Sequence, residues 1–229
     1  MAVWVVTGAN RGLGAAFVRQ LTARGDTVHA GAREPSDIPS SEGEGTVHPY
    51  PLDVKDTASV RAFASSIGMH TGHVDVLVNN AGIADGRWSR LEEVDPEATL
   101  EVLDVNTVGP LRVAQACWPL LRAAPGGGRV AHISSLMGSI DDCASGRSYA
   151  YRPSKTALNM VSKILAVEGK EDGISSTAYH PGWVRTDMGG ARAPLGIEES
   201  VSDLIALIDA QGAQTSGSFL EHTGRVLPW

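Results

Sequence analysis

Short apolar runs rich in β-branched residues alternate along this chain with longer segments of helical periodicity. The runs at 3–7, 27–31, 47–52, 74–78, 129–134, 174–179 and 218–220 predict seven strands. Helical patterns fall between them, near 13–24, 57–67, 96–103, 107–123, 150–169 and 198–210. Strands unbroken by polar residues, each followed by a helix, predict a parallel sheet covered on both faces. Two stretches resist both periods. Residues 32–45, with Pro, Ser, Glu and Gly, read as a surface loop, and 187–197 as a Gly-rich loop suited to a substrate lid.

Bulk properties narrow this picture. The 229 residues show no internal repeat or linker, and 42% of them are hydrophobic, which fits one domain over 1–229. A net charge of −7 argues against nucleic acid or an anionic membrane as partner. Two cysteines, Cys117 and Cys143, make no disulfide framework, so a reducing, cytoplasmic setting is expected. The opening residues enter a strand pattern directly and no apolar stretch reaches the ~20 residues of a membrane span, so neither a cleavable signal nor a membrane anchor is expected.

Candidate chemistry clusters at the ends of the predicted strands. Thr7-Gly-Ala-Asn-Arg-Gly-Leu-Gly14 follows the first strand and opens a helix. Its glycines permit a sharp turn and close approach of a pyrophosphate to free N–H groups at the helix start. An ordinary strand-to-helix turn accounts for Gly8, Gly12 and Gly14 equally well when they are taken alone. The second strand ends at Arg33 with no acid at its tip, which favours the extra phosphate of NADP(H) over the bare ribose of NAD(H). Arg11 offers a second cation for that phosphate. The alternative is two solvated arginines, with Glu34 one position late for a ribose. Asp53 closes the third strand and suits an adenine edge, while Asn79-Asn-Ala-Gly82 closes the fourth near a ribose.

Farther along, Tyr151-Arg-Pro-Ser-Lys155 places a phenol and an ammonium on one helix face. A nearby Lys⁺ favours phenolate, drawing down a pKa that starts near ~10 toward the range where Tyr exchanges protons. Protonating an alkoxide during hydride transfer requires such a group. Pro153 lies inside this segment, but a Pro in a first helical turn has no hydrogen bond to lose.

Taken together, the glycine turn, Asp53, Asn79-Asn-Ala-Gly82, Asn106, Ser135, Tyr151-x3-Lys155 and Pro181-Gly182 resemble the short-chain dehydrogenase/reductase family, in the family's order. Within it, His132-Ile-Ser-Ser-Leu-Met-Gly-Ser139, the Tyr149–Lys155 segment and His180-Pro-Gly-Trp-Val-Arg-Thr-Asp-Met188 look like the small Sniffer-type carbonyl reductases and the related C-factor proteins. The resemblance implies a Rossmann-type doubly wound sheet with strand order 3-2-1-4-5-6-7. It also implies a tetrad in which Tyr151 is the acid/base and Ser135 orients the carbonyl oxygen. Lys155 then binds the nicotinamide ribose, and Asn106 holds a water of the proton relay. Cofactor contacts extend by the same likeness to Asn10, Leu13, Val54, Ala81, Val184 and Thr186, beside Gly8, Arg11, Gly12, Gly14, Arg33, Asp53, Asn79, Gly82, Pro181 and Gly182. The activity implied is NADP(H)-dependent interconversion of a carbonyl and an alcohol. A C-factor-like signalling protein that keeps the cofactor fold is the alternative. The partner is a small carbonyl or alcohol molecule, and the quaternary state is left open between monomer, homodimer and homotetramer.

Other side chains invite chemistry. Ser134 competes with Ser135, but alternation along a strand sends the two to opposite faces, and the resemblance favours Ser135. His70 and His73 have metal-like spacing, yet no Cys or carboxylate set completes a site, and no metal is expected. Asp141-Asp142 reads as a solvated loop, Tyr149 as pocket wall or packing, and His180 as strand-end packing. Trp88, Met137, Trp183 and Met188 follow strand ends, where they form either an apolar substrate wall or core.

Overall fold

The computed structural model describes residues 1–84 and 88–229. Seven parallel strands form one sheet: β1 (Val3–Thr7), β2 (Thr27–Ala32), β3 (Thr46–Pro51), β4 (Val76–Asn79), β5 (Arg129–Ile133), β6 (Ser175–His180) and β7 (Phe219–Glu221). Their order is β3-β2-β1-β4-β5-β6-β7, so the chain reverses direction of travel across the sheet between β1 and β4. Ligands of open α/β sheets bind outside the strand carboxyl ends at such a reversal.

Period-two alternation in the central strand separates the two faces. In β1, Trp4 and Val6 point to one side and Val5 to the other, and all three are fully buried. Trp4 and Val6 pack with Phe17 and Leu21 of α1 (Gly12–Ala23) and with Leu204 and Ile208 of α6 (Ile197–Asp209). Val5 joins Leu77 and Val130 under three other helices. These are α2 (Thr57–His70) through Phe63 and Ile67, α4 (Gly109–Arg122) through Val113 and Leu121, and α5 (Tyr151–Glu168) through Leu165. Each such large side chain removed from water stabilises the fold by about 1.5–3 kcal/mol before entropy is counted. Two apolar faces on one strand therefore enforce helices on both sides.

Two elements depart from expectation. The helices expected at 96–103 and 107–123 are continuous: α3 (Pro96–Leu103) runs into α4 through a π-helical turn, Asp104–Val108. There the Gly109 N–H reaches back to the Asp104 carbonyl, five residues earlier, and the wider turn carries Asn106. The segment expected to be a free loop at 187–197 is stitched down. Val184 bridges Leu195, the Trp183 indole donates to the Gly189 carbonyl at 2.9 Å, and Ala193 is buried.

Candidate active site

A cleft of about 1150 Å³ opens at the carboxyl edge of the sheet, where the glycine turn and the segments after β2 to β6 converge. Its volume exceeds the ~300–1,000 Å³ of ordinary small-molecule sites, leaving room for a dinucleotide beside a second ligand.

The glycine turn lies at one end. Gly8 and Gly12 adopt positive φ (64° and 54°), and a Cβ on Gly14 would stand 2.1 Å from the Gly8 carbonyl oxygen. Any side chain there would push α1 away from β1. Among the described residues no side chain caps the N-terminus of α1, and its first turn carries no acid, so its N–H groups and dipole face the cleft unneutralised. The turn is held from behind by the fourth strand's exit. The Thr7 hydroxyl accepts from the N–H groups of Asn80 and Ala81, both at 3.0 Å, and the Asn80 amide donates to the carbonyls of Thr7 and Gly8.

Asn79 and Asn80 divide their work by strand alternation. The Asn79 amide donates to the Pro110 carbonyl at 3.3 Å, away from the cleft, whereas Asn80 lines it. Asn80 was not among the expected site residues. The Asn-Asn pair signals only that one of the two side chains must face the strand's other side. Gly14 and Asn106 likewise do not line the cleft; the other expected positions do, including Asn10, Leu13, Val54, Val184 and Thr186.

After β2 and β3, Arg33, Glu34 and Asp53 all line the cleft. The Asp53 carboxylate accepts from the Lys55 N–H at 2.9 Å, and Lys55 in turn pairs with Glu101 at 2.7 Å. Arg11 is engaged rather than free: its guanidinium meets Asp187 at 2.8 Å.

Tyr151 and Lys155 occupy the first two turns of α5, and both are buried while lining the cleft. The Lys155 ammonium lies 5.8 Å from the centroid of the Tyr151 ring and donates to the Ile133 carbonyl at 2.9 Å. Its burial lowers its pKa from 10.5 to about 8. Ser134 and Ser135 separate as alternation requires. The Ser134 hydroxyl donates to Asn159 at 2.6 Å in the interior, while Ser135 accepts from the Met137 N–H at 3.2 Å, which leaves its own proton to donate. Asn106 is fully buried. Its amide oxygen accepts from the Ile83 N–H at 2.9 Å, and its nitrogen donates to the Ile83 carbonyl at 2.8 Å. A Cβ on Gly82 would lie 3.2 Å from that amide oxygen and 3.6 Å from the Lys155 nitrogen, so the strand exit passes close over both.

This arrangement matches a known pattern throughout. The short chain dehydrogenase family pattern covers residues 2–194. The chain belongs to this family. Among relatives of the short-chain dehydrogenases, C-signal from Myxococcus xanthus is 42% identical over 170 residues, which span 74% of this chain and all of that protein. The NADPH-bound carbonyl reductase from chicken fatty liver superposes with a TM-score of 0.91 at 33% identity, covering all of this chain and 99% of that one. Carbonyl reductase Sniffer of D. melanogaster gives 0.90 at 31% identity, with both chains fully covered. The fold and the Sniffer-like and C-factor-like character expected from the residues are thus shown, and membership places the chain among the oxidoreductases.

The remaining tempting residues resolve individually. Trp88, Met137, Trp183 and Met188 all line the cleft and none belongs to the buried core. His180 ends β6 and also lines it, and burial lowers its pKa to about 4. His70 closes α2 with its ring on the Ser66 carbonyl at 2.8 Å, and His73 faces Asp75 at 3.5 Å. The Asp141 N–H donates to the Trp229 main-chain oxygen. No helix among the described residues is long and apolar enough to cross a membrane.

Proposed function

We propose that this chain is an NADP(H)-dependent carbonyl reductase in which Tyr151 exchanges the proton on the reacting oxygen. The reading rests above all on one observation: a buried ammonium, Lys155, set 5.8 Å from the Tyr151 ring at the floor of the cleft. In water a phenol at neutral pH is a poor proton-transfer partner in the alcohol-oxidising direction. A desolvated cation nearby favours the phenolate and shortens that gap.

The residues fit a dinucleotide. The glycine turn brings backbone within reach of a pyrophosphate at an uncapped helix start, and Cβ atoms on Gly8 and Gly14 would collide with Ala81 and the Gly8 carbonyl and distort that turn. Arg33, at the exit of β2, is the group to meet a 2′-phosphate, with Asp53 on the adenine side. On this reading Lys155 holds the nicotinamide ribose, with Gly82 beside it. The cofactor, when bound, supplies the hydride. The chain's own residues do the rest. Ser135 donates its hydroxyl proton toward the carbonyl oxygen, Tyr151 delivers a proton to it, and Lys155 steadies the phenolate left behind. Trp88, Met137, Trp183 and Met188 offer apolar surface to the carbon skeleton of the substrate.

Support for NADP(H) also comes from the carbonyl reductase of chicken fatty liver, which binds NADPH and aligns with this chain end to end. The test is NADPH oxidation with a panel of aldehydes, quinones and diketones. Turnover of one class with NADPH well above NADH is expected. Tight NADPH binding with no turnover of any member would overturn the reading.

A second reading has its own observation, the 42% identity to C-signal over all of that protein. On it, the cofactor fold serves signalling and the tetrad is incidental. A Tyr151→Phe chain that keeps its biological role would favour signalling over catalysis.

A further inference from the structure

Ser154 sits between Tyr151 and Lys155 in α5 and is fully buried. Its hydroxyl donates to the Tyr151 carbonyl at 2.8 Å, closing the first turn of the helix. Having spent its proton there, the oxygen can only accept from Asn106, whose amide nitrogen lies at 3.0 Å. The main chain repeats the link, since the Thr107 hydroxyl donates to the Ser154 carbonyl at 2.9 Å. Two consecutive residues of the π-turn are therefore tied to one residue of the helix that carries the Tyr–Lys pair.

The tie has an evident purpose. Single π-turns inside α-helices are rare and are found frequently at functional sites. The Asn106 amide has one acceptor and two donor hydrogens, and Ile83 with Ser154 uses all three. Without Ser154, one donor would be left buried and unpaired, and the amide would be free to re-pair or rotate. Neither change touches the cleft directly, because Asn106 and Ser154 do not line it.

We infer that Ser154 is a positioning residue: it sets the Asn106 amide and the π-turn against α5, so that Tyr151 and Lys155 keep their spacing. This deepens the carbonyl reductase reading and rests on it for its kinetic consequences. A displacement near 1 Å at reacting groups costs up to ~100-fold in rate.

Ser154→Ala is expected to lower kcat roughly tenfold or more. NADPH affinity, read by direct titration, and carbonyl KM should stay within about twofold. In an Asn106→Ala background the same substitution should cost nothing further, because its route of action is already gone. Independently of substrate, amide hydrogen exchange across 104–108 should quicken in Ser154→Ala, with the rest of α4 unchanged. Ser154→Cys, which keeps the volume but weakens the hydrogen bonds, should show the same pattern in milder form. Unchanged kcat and unchanged exchange in both variants would overturn the inference. So would an equal loss in the Asn106→Ala background, or exchange that rises throughout the protein. Absence of any carbonyl turnover in the wild type counts against the reductase reading alone, and the exchange experiment still decides the role of Ser154.

Discussion

Arg11 and Asp187 meet at 2.8 Å across the mouth of the cleft, joining the glycine turn to the segment after β6. Both side chains are largely exposed, at 65% and 82%, so the pair contributes little to stability. Its effect falls on binding. A carboxylate at this place repels a phosphate and occupies the cation that would receive it. Asp187→Ala is expected to tighten NADPH binding by roughly two- to fivefold at low salt, with a smaller gain for NADH and thermal stability nearly unchanged. The difference should shrink as ionic strength rises. Weaker NADPH binding in the variant would show instead that the pair acts as a latch over the bound cofactor.

The proposed preference for NADP(H) rests on Arg33 more than on Arg11: both line the cleft, but Arg11 is already paired with Asp187. Arg33→Asp should weaken NADPH by about 1–3 kcal/mol, the scale of a lost charge-assisted hydrogen bond. NADH should be little affected. Equal affinities of the native chain for the two cofactors, measured by fluorescence titration, would remove the basis of this assignment.

How much of this was legible beforehand depends on the range of the interactions involved. Strands and helices declared themselves because burial on two faces leaves a mark at nearly every position of β1, from Trp4 to Val6. Alternation, being local, showed that Ser134 and Ser135 face opposite ways, and the family resemblance supplied the choice of Ser135. The π-turn was not. It turns on the Gly109 N–H reaching the Asp104 carbonyl, a one-position shift that leaves no periodic signature over five residues. Alternation likewise shows that Asn79 and Asn80 face opposite ways but not which faces the cleft. Only the packing of Asn79 on Pro110 in α4 decides it. The segment at 187–197 read as free because its glycines suggest mobility. Arg185, donating to the Ala193 carbonyl, shows that tertiary bonds override that composition.

Lys155 carries a stability consequence of definite sign. Its folded-state pKa is lowered from 10.5 to about 8 by burial, so between those values the unfolded chain holds the proton that the folded chain has lost. Stability from this group therefore rises with pH across that window, and the penalty is fully present below it. The gap corresponds to about 3 kcal/mol. Lys155→Met removes the penalty but leaves the Ile133 carbonyl without its partner, at a cost of ~1–3 kcal/mol. The ligand-free variant should be at least as stable as the native protein at pH 7, and its advantage should vanish or reverse by pH 10. Denaturant unfolding at several pH values checks this, and an advantage that grows with pH would contradict it.

Tyr151→Phe isolates the proton transfer itself. The substitution deletes one hydroxyl, keeps the ring beside Lys155, and leaves the Ser154 bond to the residue-151 carbonyl intact. Cofactor affinity should change little, because the substitution leaves the glycine turn, Arg33 and Lys155 in place. Removal of general acid/base help costs ~10²–10⁴ in rate, so kcat should collapse by that factor at unchanged KM. Lys155→Ala should behave differently. It removes both the charge that favours phenolate and the group expected to hold the nicotinamide ribose, so turnover and cofactor binding fall together. In the native enzyme, alcohol oxidation should accelerate with pH through an apparent pKa below ~10, since phenolate is the base required. Tyr151→Phe should abolish that dependence along with the rate. A variant that still turned over at near-native speed would place the proton donor elsewhere in the cleft, with Ser135 the next hydroxyl in line.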